Sequence, residues 1–215
     1  MKIGVFDSGI GGKSVANAIE QALPDAEVIF MEDRGNIPYG NKSPEELYKL
    51  ALPILNKLSN SGCDIIVVAC NTVSTTIIGR LKQQVSTPLV AIVPMVKTAS
   101  GITKSNVVAV CATPTTLASP RYAELKKEFG EGIEFLEPDC SDWAEMIEQN
   151  EVDENRIVGI VNEVIGMKAD VIVLGCTHYH WISEVIEGIT NGQAVVLQPE
   201  TAIVEQVKRV LGLPL

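Results

Sequence analysis

Asp64–Thr72 (DIIVVACNT) and Asp170–His178 (DVIVLGCTH) are two versions of one pattern, an apolar run that ends in a cysteine and then turns polar. Each run is short, uninterrupted and rich in β-branched residues, which is typical of a strand buried on both faces of a parallel sheet. The two cysteines, Cys70 and Cys176, lie about half the chain apart. The repetition predicts two similar lobes, each presenting one thiol at the carboxyl end of a strand, where open α/β sheets bind ligands.

Other apolar runs alternate with stretches of helical periodicity. We predict strands at residues 3–6, 28–31, 64–69, 89–93, 107–111, 133–136, 171–174 and 195–197. We predict helices that begin near Lys13, Pro44, Ser74, Thr115, Asp142, Asp153 and Glu200. This alternation predicts an α/β fold of two pseudo-symmetric lobes, each a mainly parallel sheet flanked by helices, with the active site between them. We expect residues 1–94 and 198–215 to form the first lobe and residues 95–197 the second.

Composition and charge limit the classes of protein to which this chain can belong. With 215 residues, 46% of them hydrophobic and only 5% aromatic, the chain can bury a sizeable aliphatic core. A formal net charge of −10 argues against nucleic acid and anionic membranes, both of which bind a basic face. The five cysteines lack C-x-x-C spacing, and the sequence contains neither a signal-peptide pattern nor a long apolar run. We therefore expect a cytoplasmic protein that binds neither nucleic acid nor membrane.

A glycine-rich loop, Asp7–Gly12, follows the first predicted strand. Its glycines allow backbone amides to approach a ligand, and a helix begins directly after it. Gly11–Ser14 resembles the end of a phosphate-binding loop, but that motif needs a glycine where this chain has Asp7. A carboxylate there would repel phosphate. We favour a ligand loop that does not bind a nucleotide, with a purely structural turn as the alternative.

The cysteines divide into two groups. Cys63, Cys111 and Cys140 are expected to pack as small apolar side chains. Cys70 and Cys176 are each followed at once by polar residues at a strand's carboxyl end, which favours a functional site.

Both histidines of the chain lie close to the second of these thiols. A neighbouring imidazole can lower the pKa of a thiol or carry its proton, which favours a functional role for His178. His180 is expected to be a loop residue at the head of the next helix. Zinc held by Cys70, Cys176 and His178 is an alternative, but no fourth ligand has recognisable spacing.

Four separated motifs, in order, resemble those of the glutamate racemases in the aspartate/glutamate racemase superfamily. They are Gly4–Gly12, Pro38–Gly40, Ala69–Thr72 and Gly175–Tyr179. The resemblance covers nearly the whole chain. It implies an isomerase that interconverts L- and D-glutamate without a cofactor or metal and supplies D-glutamate for peptidoglycan synthesis, cell wall biogenesis and cell shape.

The resemblance also implies roles for individual residues. Cys70 would take the α-proton from D-glutamate and Cys176 from L-glutamate, each returning a proton to the opposite face. Asp7 would tune Cys70, and His178, assisted by Glu148, would tune Cys176. Substrate binding would fall to neutral groups, namely Ser8, Pro38, Tyr39, Gly40, Asn71, Thr72, Thr113, Thr115, Thr116 and Thr177.

The chain departs from the family pattern at Lys13, Val93, His180 and Gln198. These changes bear on lobe packing and on fine substrate choice, while both cysteines are kept. Two alternatives therefore stay open: a racemase of aspartate or another acidic amino acid, and a catalytically silent binding or regulatory homologue. Glutamate is the expected small-molecule partner, and a homodimer is left open.

Overall fold

Two four-stranded parallel sheets, built in the same strand order, form the framework of the computed structural model, which describes residues 1–214. The first sheet has the order β2-β1-β3-β4 and the second β6-β5-β7-β8. The strands are β1 (Lys2–Asp7), β2 (Glu27–Glu32), β3 (Ile65–Val68), β4 (Leu89–Ala91), β5 (Val107–Cys111), β6 (Glu134–Leu136), β7 (Val171–Leu174) and β8 (Val195–Leu197). The predicted α/β fold with two similar lobes is confirmed.

Helices follow almost every strand. The α-helices are α1 (Lys13–Ala22), α2 (Pro44–Asn60), α3 (Asn71–Thr76), α4 (Ile78–Leu81), α5 (Val96–Ile102), α6 (Pro114–Leu117), α7 (Pro120–Phe129), α8 (Trp143–Gln149), α9 (Glu154–Gly166), α10 (Ser183–Thr190) and α11 (Glu200–Val210). Short 3-10 helices cover Ile10–Gly12, Arg34–Asn36, Tyr39–Asn41 and Thr177–Ile182. None of the helices within residues 1–214 is both long enough and apolar enough to cross a bilayer.

Strand β3 shows why the apolar runs are uninterrupted. All four of its side chains are buried, and alternate residues enter different cores: Ile65 and Val67 on one face, Ile66 and Val68 on the other. Strand β7 divides its side chains between two cores in the same way. Each sheet is therefore covered on both faces, as a parallel sheet must be.

Several helices differ from the prediction, and α4 and α10 are absent from the predicted helix starts. The helix expected near Ser74 begins at Asn71, directly after Cys70, so the thiol lies at the junction of strand and helix. The helix expected from Thr115 is two helices, because Pro120 disfavours helical backbone at Ser119, which is extended and caps α7 instead. Helix α5 was not predicted; it is short and has only two buried residues.

The last helix packs on the first sheet. Ile203 and Val207 of α11 are buried in the core that also contains Ile3 and Val5 of β1. This packing supports the assignment of the C-terminal segment to the first lobe. The division at residues 94 and 198 stays a prediction, and its last position, 215, lies outside the described residues.

Candidate active site

Cys70 and Cys176, the cysteines of the two repeated runs, both line one cavity of about 160 Å³ between the carboxyl ends of the two sheets. Cys70 follows β3 and Cys176 follows β7, the corresponding strands of the two sheets. Their exposed fractions are 4% and 7%. The structure thus brings together two buried thiols that are distant in sequence and come from opposite lobes.

The glycine loop after β1 forms part of the contact between the lobes. The amide of Gly12 donates to Asp7 Oδ2 at 2.6 Å, and the hydroxyl of Thr177 from the second lobe donates to the same oxygen at 3.0 Å. A Cβ on Gly11 would lie 2.6 Å from the backbone nitrogen of His178, so only glycine fits. The loop is therefore shaped to let the first lobe approach the residues that follow Cys176.

An acidic neighbour sets the environment of Cys70. The Sγ atom donates to Ser8 Oγ at 3.5 Å. Burial and the nearby Asp7 carboxylate raise the pKa of Cys70 to about 12. Burial also raises the pKa of Asp7, although the positive charge of His178 opposes that shift. Asp7 Oδ1 is buried and has no partner among residues 1–214, so this carboxyl keeps one free acceptor beside the thiol.

A histidine and a carboxylate flank Cys176. His178 Nδ1 lies 3.8 Å from Cys176 Sγ, and His178 Nε2 lies 2.6 Å from Glu148 Oε1. Burial alone lowers the pKa of His178, but its hydrogen bonds to Cys176 and Glu148 and the charge of Asp7 outweigh burial and raise the pKa to about 10. Burial raises the pKa of Glu148, but hydrogen bonds from His178 and the Ile10 amide outweigh it and leave that pKa low. The pair is therefore an imidazolium held by a carboxylate.

Most of the predicted binding residues line the cavity. Those in its wall are Ser8, Pro38, Tyr39, Gly40, Asn71, Thr72, Thr113 and Thr177, together with Cys70, Cys176, His178 and Glu148. The side-chain amide of Asn71 is buried, and neither its oxygen nor its nitrogen has a partner in the described part of the chain. Such a group is free to bind a ligand, because a buried amide left unpaired is costly.

Three predicted residues stand behind the wall. Asp7 does not line the cavity, and it contacts the wall through the hydroxyl of Thr177. Thr115 donates its hydroxyl to the carbonyl of Gly40, and Thr116 Oγ1 lies 3.0 Å from Thr113 Oγ1. These two threonines orient residues of the wall, and no part of either belongs to the wall itself. Their direct contact with substrate stays a prediction.

Six further residues line the cavity and were missed from the sequence: Ile37, Asn41, Ser141, Ala144, Glu145 and Gln149. Ile37 and Asn41 flank Pro38–Gly40 in the chain. Ala144 and Glu145 precede Glu148 by four and three residues, the spacing that places side chains on one helix face. Helical periodicity counted from Glu148 would have found them.

The remaining cysteines and the second histidine lie outside the cavity wall. Cys63, Cys111 and Cys140 are buried in apolar cores, where we expected them. His180 lies in the 3-10 helix Thr177–Ile182 before α10 and not in a loop, and it is buried, with Nδ1 2.7 Å from Glu200 Oε1. No group of three or more His, Cys, Asp or Glu side chains within residues 1–214 is arranged to hold a metal ion, so the zinc alternative has no ligand set there.

Comparison with known proteins identifies what this arrangement is similar to. A family model described as Asp/Glu/Hydantoin racemase matches residues 3–207. The chain is 34% identical to the glutamate racemase of Roseiflexus sp. (strain RS-1) over 214 residues, which are 97% of this chain and 79% of that protein. It is 34% identical to the glutamate racemase of Pseudomonas syringae pv. tomato over 215 residues, covering 98% of this chain and 78% of the relative.

Solved structures show the same similarity. The structure of Escherichia coli glutamate racemase in complex with L-glutamate and the activator UDP-MurNAc-ala superposes with a TM-score of 0.90 at 28% identity, covering 98% of this chain and 82% of that one. Glutamate racemase from Francisella tularensis in complex with D-glutamate superposes with a TM-score of 0.81 at 29% identity, covering 98% and 81%.

Proposed function

The chain belongs to the Asp/Glu/Hydantoin racemase family, and we propose that it is a glutamate racemase that works by two-base proton transfer between Cys70 and Cys176. The observation that carries the proposal is the placement of these two thiols, one from each lobe, on a single cavity. Inversion requires that the planar carbanion is protonated on the face opposite to the one that lost its proton. An acid must therefore be positioned on that opposite face. Two opposed thiols supply a base and an acid for either direction.

The reaction removes the α-proton of an amino acid. This proton is only weakly acidic, because it lies beside a carboxylate. In the L-to-D direction, the Cys176 thiolate takes the α-proton from one face, and the Cys70 thiol gives its proton to the other face. In the D-to-L direction the two exchange roles, so each turnover leaves the thiols in swapped protonation states. Proton transfer by positioned groups of this kind contributes about 10²–10⁴-fold to rates.

Stabilisation of the carbanion falls to neutral hydrogen-bond donors in a cavity that largely excludes water. The hydroxyls of Ser8 and Thr72 and the amide of Asn71 line the wall; Thr113 and Thr177 line it as well, but they donate their hydroxyl protons to Thr116 and Asp7. The cavity wall contains no lysine or arginine within the described residues, so these dipoles would hold the carboxylates of the substrate. Preorganised donors in a low-dielectric site stabilise developing charge more strongly than water does.

The choice of glutamate rests on relatives. The Escherichia coli and Francisella tularensis enzymes are described in complexes with L- and D-glutamate, respectively. We extend that substrate to this chain, and with it the supply of D-glutamate for peptidoglycan. An acidic amino acid other than glutamate remains the second candidate, and a homodimer stays a prediction.

The deciding experiment uses purified protein treated with a chelator and freed of cofactors by gel filtration. L-Glutamate is incubated with it in D₂O, and the product is followed by polarimetry and by mass spectrometry of the α-position. We expect loss of optical rotation together with uptake of deuterium, and faster turnover on glutamate than on aspartate. Unchanged L-glutamate would overturn the proposal, faster turnover on aspartate would favour the sibling activity, and binding without exchange would identify a silent homologue.

A further inference from the structure

Arg34 lies at the rim of the cleft, in the 3-10 helix after β2 of the first lobe, and reaches Glu148 of the second lobe. Its Nε and Nη2 atoms are each 3.3 Å from Glu148 Oε2. On its own lobe, Arg34 Nε is 3.9 Å from Glu32 Oε1. The side chain of Arg34 is 55% exposed, whereas that of Glu148 is only 5% exposed. The guanidinium therefore covers a carboxylate that solvent hardly reaches.

The donors to Glu148 come from both lobes. Its Oε1 atom accepts from the Ile10 amide at 2.7 Å and is 2.6 Å from His178 Nε2. Its Oε2 atom has Arg34 as its donor. Ile10 and Arg34 belong to the first sheet's side of the cleft, and His178 to the second. Because a buried carboxylate oxygen without a donor is costly, Glu148 is fully satisfied only when the lobes are in contact as they are here.

We propose that Arg34 is a positioning residue that holds Glu148 toward His178 and so couples contact between the lobes to proton transfer at Cys176. Its consequence for turnover rests on the proposed function, whereas the contact itself does not. Glu148 orients the imidazolium, and the imidazolium faces the thiol at 3.8 Å. Arg34 is thus the outermost member of a chain of charges that ends at Cys176.

The charge of Arg34 also matters to Glu148. Arg34 is one of the groups that keep the pKa of Glu148 low, alongside His178 and the Ile10 amide. Among residues 1–214, the guanidinium also pairs with Glu32, which lies farther from it. When the guanidinium is removed, Glu148 Oε2 must bind water, or the carboxylate must rotate away from the histidine. In either case Glu148 Oε1, the acceptor for His178, is held less firmly.

The test compares Arg34→Gln, the charge-conserving Arg34→Lys and a control, Arg121→Gln. Arg121 is a similarly exposed arginine, paired with Glu124 on its own helix and outside the cavity wall. One readout is kcat and KM for glutamate. The other, which needs no substrate, is the downfield NMR signal of the His178 ring N–H bonded to Glu148, assigned by its absence in His178→Asn. The chain has only two histidines, which makes that assignment direct.

We expect Arg34→Gln to shift the ring N–H signal upfield, broaden it, and lower kcat about fivefold to tenfold with less change in KM, because a half-exposed charge is partly screened. Arg34→Lys should lie between wild type and Arg34→Gln, and Arg121→Gln should match wild type. An unchanged signal in Arg34→Gln, or a shifted signal with unchanged kcat, would overturn the inference. If wild type fails to racemise glutamate while the signal still shifts in Arg34→Gln, the proposed function fails and the contact stands.

Discussion

The Cys70 side and the Cys176 side of the cavity share a scaffold and differ in charge. Both thiols follow the same position in sheets of the same strand order. Cys70 has the carboxyl of Asp7 as its ionisable neighbour, whereas Cys176 has the imidazole of His178, held by Glu148. A carboxylate disfavours a thiolate and an imidazolium favours one. The pseudo-symmetry places the two thiols on one cavity, and the two sides give them neighbours of opposite charge.

The difference suggests which thiol is ready to act as acid. Burial and Asp7 raise the pKa of Cys70 to about 12, which favours the protonated thiol at neutral pH. In the resting protein we therefore expect Cys70 to be the acid, which is the role that L-glutamate needs from it in the proposed mechanism.

The largest effect is expected from removing either thiol. Cys70→Ala and Cys176→Ala should each reduce racemisation by about 10³-fold or more, because each deletes the acid or base of every turnover. Polarimetry of L- and D-glutamate measures the loss. Near-normal turnover in either variant would exclude the two-base mechanism.

Deuterium exchange distinguishes the two sides. In Cys176→Ala only the Cys70 base remains, so any slow uptake of deuterium should appear in D-glutamate recovered without inversion. In Cys70→Ala it should appear in L-glutamate. Cys63→Ala is the matched control, since Cys63 is also buried but does not line the cavity; it should racemise like wild type.

The next largest effect is expected from removing the cation beside Cys176. His178→Asn should lower kcat in the L-to-D direction by about 10²-fold and change KM less, because the lost group tunes a proton transfer. The enantiomers have equal free energies, so kcat/KM must be equal in the two directions, and the asymmetry has to be sought in kcat and KM separately. His180→Asn, outside the cavity wall, is the control. A change in KM alone would remove His178 from the chemistry.

The third effect is expected from removing the negative charge of Asp7 beside Cys70, which should make that thiol easier to ionise. The charge of Asp7 raises the pKa of Cys70, so Asp7→Asn should lower that pKa and raise the thiolate population at a fixed pH by about tenfold. Peptide-resolved mass spectrometry of the rate of iodoacetamide labelling at one mildly alkaline pH would measure that population for Cys70, because the rate is proportional to the thiolate fraction below the pKa. A rate that stays at the wild-type value would show that burial alone sets the ionisation of Cys70.

The smallest effect is expected at Ser8. Its hydroxyl accepts from the Cys70 thiol and can rotate to donate to the thiolate, which lowers the pKa of Cys70, although less than burial and Asp7 raise it. Ser8→Ala should therefore slow the labelling of Cys70, opposite to Asp7→Asn, and by about twofold to threefold. The same labelling series measures both. Faster labelling would mean that Ser8 does not stabilise the Cys70 thiolate.

Much of the framework was predictable because it depends on local pattern. The β3 and β7 runs are apolar at every position, and such runs form strands buried on both faces. Helix α5 was not predicted because a helix with only two buried residues gives a weak hydrophobic periodicity. The division between α6 and α7 escaped prediction because hydrophobic periodicity does not contain the restriction that Pro120 places on the backbone of Ser119.

The site was predictable only in part. The resemblance to a family supplied Asp7, His178 and Glu148, and adjacency to Cys176 independently favoured His178. Neither source indicated that Thr115 and Thr116 would stand behind the wall, or that Gln149 would belong to it. Those positions follow from how two lobes pack together, which a local pattern does not contain.

The sequence by itself determined the two lobes, their parallel sheets and the delivery of one thiol by each, because hydrophobic period and strand-end polarity are local properties of the chain. Only the tertiary structure decided which contacts hold the charged groups beside those thiols. Asp7 is joined to Thr177, and Glu148 to Ile10 and Arg34, across contacts between residues far apart in the chain. Burial makes those contacts decisive, since charges in a low-dielectric cleft are governed by the partners that packing provides.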